Sequence, residues 1–179
     1  MSTAQVQHAT RVAVPLSVGA AVAVALGVYG RLHDPAGVAI NLAGFSSFQS
    51  VKTWLTTIAL LFGIVQLISA MSLYGRLPTR PWVGPLHRWS GRVAVAFTLP
   101  VVAHCLYALG FEYGEPRVLI HSLLGCFFYG AFVAKMLTLS RTDAPKWLLP
   151  VVGGAVFTAL VGLWLTSSLW FFTTFGVIR

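Results

Sequence analysis

Two histidines, His104 and His121, stand seventeen residues apart near the facing ends of two apolar runs, LPVVAHCLYALG and RVLIHSLLGCFF. A helix rises about 1.5 Å per residue, so His104 lies roughly 9 Å inside the break at Gly110 and His121 roughly 6 Å inside the break at Arg117. The short connection GFEYGEP makes the two runs antiparallel neighbours. Two imidazoles at matched depth on adjacent helices can take both axial positions of a haem iron. Zinc would ask for further Cys, His or carboxylate ligands at that depth.

The neighbours of the pair suit a flat macrocycle. Gly125 lies one turn after His121 on the same face, and Gly130 and Ala131 keep the inner half of that run slim. Small residues at these positions also let two helices pack closely, which explains them equally well. Arg117, one turn before His121, is placed to meet a haem propionate. Pro100, one turn before His104, predicts a bend that would aim the ring. Cys105 and Cys126 are expected as buried free thiols, and the absence of a C-x-x-C-H run excludes covalently attached haem by that motif. One haem b per chain is expected. A second would have to use His87 with Met136 or Met71, and both methionines are expected as flexible core packing.

His87 opens another apolar run in LHRWSGR, and HRWSG shares the form H-x-x-x-G with HSLLG. His87, Arg88, Ser90 and Arg92 together make a polar mouth whose imidazole, hydroxyl and guanidinium groups could hold a quinone carbonyl or a lipid headgroup. His8 and His33 fall outside the runs and are expected at the surface.

The elements that must position these groups are membrane helices. Of 179 residues 57% are hydrophobic and 9% charged, far from the balance of a soluble domain. Residues 11–30, 52–75, 88–110, 117–140 and 146–172 form five stretches long enough to cross a hydrocarbon core as helices, giving one all-α transmembrane bundle. The apolar run after Arg11 is too long for the core of a signal peptide and is expected to be a retained span.

The formal charge is +8, from 12 Lys and Arg against 4 Asp and Glu. On a soluble chain that would suggest nucleic acid, but here the bases sit at span ends. Arg11, Arg76, Arg80, Arg88, Arg92, Lys135, Arg141 and Lys146 fall on one side; Arg31, Lys52, Arg117 and Arg179 fall on the other with Asp34, Glu112 and Glu115. The bias predicts a multi-pass protein of the inner (plasma) membrane, N-terminus cytoplasmic and C-terminus external. Trp54, Trp82, Trp89, Trp147 and Trp170 lie near the span ends, as an aromatic belt requires. The first connection, RLHDPAGVAINLAGFSSFQSVK, is expected to lie over the external helix ends as a lid. The second, RLPTRPWVGPLHR, with three prolines, is expected as a stiff non-helical link.

LHRWSGR at the start of a span, followed by a deep histidine on that span and another on the next, resembles the ferric-reductase-like and related di-histidine transmembrane b-type cytochromes. HRWSG is also similar to the HR-x-[ST]-G element of the succinate dehydrogenase cytochrome b subunit. That resemblance implies a quinone-site serine at Ser90 and, only with a shifted register, an arginine at Arg92. Over its whole length the chain looks like a five-span membrane family of actinobacteria. Two-haem ferric reductases carry paired histidines on each of two helices, which this chain does not, and no flavin, nicotinamide, phosphate-loop or triad motif is present. The expectation is an electron-transfer subunit with a redox partner protein or larger membrane complex and possibly quinone, rather than a complete enzyme. A haem-free scaffold or transporter-like accessory subunit is the alternative.

Overall fold

The computed structural model describes residues 3–38 and 47–177, with side chains from residue 10 onward in the first stretch. All regular structure among them is helical: α1 (Thr3–Leu32), α2 (Phe48–Leu73), α3 (Val83–His104), α4 (Pro116–Leu139), α5 (Leu148–Trp164) and α6 (Trp170–Phe175). Two single π-helical turns, Cys105–Leu109 and Leu165–Leu169, extend α3 and join α5 to α6. Five helical segments are long and apolar enough to cross a membrane: Thr10–Leu32, Phe48–Leu73, Val83–Leu109, Pro116–Leu139 and Leu148–Phe175.

The helix α1 begins at Thr3, eight residues ahead of Arg11, and two further helix starts differ from expectation. The helix α2 begins at Phe48 rather than near Lys52, because Ser47 caps it: its Oγ accepts from the Ser50 amide at 3.2 Å. The helix α3 begins at Val83, so the stretch VGPLHR is helical and not part of a stiff link. Pro85 is the third residue of that helix, where an amide has no partner inside the helix and a proline loses nothing.

The described residues form two compact units, Met1–Asp34 with Gly110–Ala159, and Pro35–Leu109 with Leu160–Arg179. In the first, α1 packs on α4. A Cβ at Gly19 would stand 2.5 Å from the Gly130 carbonyl oxygen, and a Cβ at Gly130 would stand 2.5 Å from that of Gly19. The two backbones therefore touch, and the packing explanation accounts for Gly130. Beside this crossing Val12 packs against Ala134, Leu148 and Val152, and Arg11 pairs with Asp143 at 3.1 Å. At the other end the Phe111 amide donates to the Gly30 carbonyl at 2.7 Å, and the Arg31 guanidinium lies over the Tyr113 ring, 5.0 Å from its centroid.

In the second unit α2 packs on α3 and on the turn Leu165–Leu169. The Ser168 hydroxyl, fully buried, donates to the Thr53 carbonyl at 3.1 Å, and the Trp164 indole donates to Thr57 Oγ1 at 3.0 Å. The helix α3 keeps α geometry through Pro100 to His104, and departs from it only at Cys105–Leu109. There the Tyr107 and Ala108 carbonyls accept from the Ala36 and Gly37 amides at 3.1 and 3.2 Å. The start of the expected lid is thus tied to the end of α3, while residues 39–46 of it lie outside the described residues, as do Arg179 and the side chain of His8.

Candidate functional site

The helix α2 carries Gln66 and Ser69 one turn apart, and α3 answers with His87, Ser90 and Gly91. Residues at intervals of three and four share one helix face, which here is the face α3 turns to α2, continuing as the buried Ala94 and Thr98. Ser69 and Ser90 are both 3% exposed. Gln66 Nε2 donates to the His87 carbonyl and, at 2.9 Å, to Ser90 Oγ. Gly91 is what admits it: a Cβ there would lie 3.0 to 3.1 Å from the end of the Gln66 side chain. The glycine of HRWSG therefore makes room for an amide.

Ser69 Oγ lies 2.6 Å from the Val65 carbonyl and 2.8 Å from His87 Nδ1. A hydroxyl has one proton, and the closer carbonyl takes it. In the tautomer assigned on that basis, His87 Nδ1–H donates to Ser69 and Nε2 carries the ring's lone pair. Among the described residues no buried side-chain nitrogen or oxygen lacks a partner, so this cluster is satisfied as it stands.

Of the four residues expected at the polar mouth, the structure brings together two. His87 and Ser90 face α2, whereas Arg88 and Arg92, about 100° and 140° further round the helix from His87, are exposed. Arg92 lies over the Trp89 ring, 5.1 Å from its centroid, and Arg88 Nη1 comes within 3.8 Å of the Cβ position of Gly84. Gln66 and Ser69 were not expected; the signal for them is a strongly polar residue inside LLFGIVQLISAMS, with a serine three positions on.

His104 belongs to the second unit and His121 to the first. Both are half-buried. The His104 ring packs on Phe48, with centroids 3.2 Å apart, and Lys52 Nζ stands 6.0 Å from the same phenyl centroid. On α4 Arg117 comes within 3.7 Å of the Glu115 carboxylate at the edge where the propionate contact is expected. The thiols of Cys105 and Cys126 are free, Cys126 lying 3.7 Å from the Cβ position of Gly27. His33 is half-buried and stacked on Tyr29 at 5.1 Å, rather than simply at the surface. Met71 and Met136 are exposed, not packed in a core. In a bundle surrounded by lipid tails, apolar side chains gain nothing by turning inward.

Among the described residues no group of three or more His, Cys, Asp or Glu side chains converges. Comparison with curated proteins and with solved structures finds no match. Residues 12–179, nearly the whole chain, match the family of unknown function DUF6529, and the chain belongs to that family.

Proposed function

We propose that this protein is a membrane-embedded b-type cytochrome subunit, moving electrons through one haem b between a quinol or other redox partner and an acceptor at the outer surface. The observation that carries the proposal is the half-buried imidazole of His87 near the start of an apolar helix, its Nδ1 2.8 Å from the Ser69 hydroxyl of the neighbouring one. Ionisable side chains in spans are costly and are kept for function. Quinol oxidation releases two protons and two electrons in two one-electron steps; Nε2 of His87 would accept the first proton and pass it to water at the membrane surface before accepting the second, each electron leaving to the acceptor before the next, and Gln66 holds the His87 carbonyl and the Ser90 hydroxyl beside it. His104 and His121 are the residues that would hold the haem iron, Gly125 would leave space beside the ring, and Arg117 would balance propionate charge. The residue types suit haem: two half-buried imidazoles on apolar helices. Bound haem b supplies a one-electron iron couple. The eight-to-four basic bias supports an N-terminus in the cytoplasm of an inner membrane.

The test is a reduced-minus-oxidised spectrum of protein expressed with haem supplied. Wild type should give the split α and β bands of six-coordinate haem b, and either His104→Leu or His121→Leu should abolish them while insertion is unchanged. A colourless wild type would favour the second reading, a haem-free scaffold or accessory subunit. The contact of Gly19 with Gly130 speaks for that reading, since close packing of helices asks for no cofactor.

A further inference from the structure

The end of the second unit that carries the link between α2 and α3 has four arginines, Arg76, Arg80, Arg88 and Arg92, all exposed. Among the described residues no carboxylate lies within salt-bridge distance of any of them, the ion pairs being those of Arg11 and Arg117. The backbone that bears them is pinned. The Arg76 and Leu77 amides both donate to the Met71 carbonyl, at 2.8 and 3.3 Å, the Val83 amide donates to the Arg80 carbonyl at 3.0 Å, and Pro78 and Pro81 restrict the turn between. The Arg88 side chain runs back along α3 to Gly84, toward a helix start with no acidic residue in its first turn. Positive charge is therefore gathered where the helix end is already positive, an arrangement that an anion relieves.

We propose that this end of the second unit binds the phosphate headgroups of anionic phospholipid. Two features go beyond the general excess of basic residues on one side of a membrane protein. That excess does not distinguish Lys from Arg, yet all four positions are Arg, whose planar fork grips phosphate through two parallel hydrogen bonds. Trp82 and Trp89, 58% and 62% exposed, stand beside them, and Arg92 lies over one of the two rings. Free phosphate has no use for exposed indoles; a lipid offers both the phosphate and the interface in which tryptophan settles. The proposal is independent of haem and quinol.

The experiment uses the full chain, passed through detergent containing equal phosphatidylglycerol and phosphatidylcholine, with retained lipid counted by native mass spectrometry. Wild type retains phosphatidylglycerol preferentially. The variant R76K/R80K/R88K/R92K keeps every charge and loses about tenfold of that preference, since forked contacts become point charges. The variant R141Q/K146Q, in the first unit, keeps the wild-type preference. If the four-lysine protein loses its monodisperse profile, R88K/R92K is measured instead, with roughly half of that loss on a logarithmic scale expected. A lysine variant equal to wild type, a first-unit variant as impaired as the lysine one, or full competition by inorganic phosphate would each overturn the proposal.

Discussion

The two units hold their helices together in opposite ways. In one, α1 and α4 meet backbone to backbone at Gly19 and Gly130, with no side chain between them. In the other, α2 and α3 meet through Gln66, Ser69, His87 and Ser90. The first contact is made of shape alone and is complete once the helices touch. The second takes polar groups out of water and recovers only the hydrogen bonds, a poor exchange for stability in a medium where apolar residues cost nothing. Packing alone explains the glycines, whereas the imidazole is held by hydrogen bonds that a purely apolar contact would not need.

That contrast can be broken most severely on the glycine side. Gly130→Leu puts a side chain where the Gly19 carbonyl oxygen stands and should cost about 3 kcal/mol or more, read as a drop in the unfolding midpoint in detergent, with the visible spectrum lost only as the fold is lost. An equally stable variant would show that the backbones do not touch.

A smaller effect is expected from Gln66→Leu. Hydrogen bonds between membrane helices are worth about 0.6 to 2 kcal/mol, so stability should fall modestly while quinol-driven haem reduction falls much further, because the Ser90 hydroxyl loses its donor. Equal loss of both would reduce the cluster to a clasp.

The smallest and sharpest change is Ser69→Ala. With its partner gone, the Nδ1 proton of His87 is no longer fixed, and nitrogen-15 spectra should show the Nδ1–H tautomer giving way to a mixture, at a cost to stability of about 1 kcal/mol. An unchanged tautomer would place the control of that ring elsewhere.

Much of this was legible from composition and pattern. Five apolar runs are five helices among the described residues, each as long as a helix needs to be to cross a hydrocarbon core. His87 and Ser90 announced themselves as polar residues in an apolar run. Gln66 and Ser69 were missed although they too are polar residues in an apolar run, because their partners lie on another helix and which faces meet is fixed by packing rather than by spacing. Helix starts went astray for local reasons: a serine cap at Ser47 and a tolerated proline at Pro85 move each boundary by four or five residues. The π turns left no sequence signal, because they arise when a helix must satisfy two contacts at once, as Leu165–Leu169 does in bringing Ser168 to Thr53.

Those turns have a consequence for chain length. A π turn is an α-helix holding one surplus residue, so the segment Cys105–Leu109 is a place where the gene can lose a codon without breaking the helix. What such a deletion would change is phase: everything beyond it swings by about 100°, and the Tyr107 and Ala108 carbonyls turn away from Ala36 and Gly37. The helix would survive and its clasp on the first connection would not, which makes that one surplus residue the part of the chain that chooses where that loop is moored.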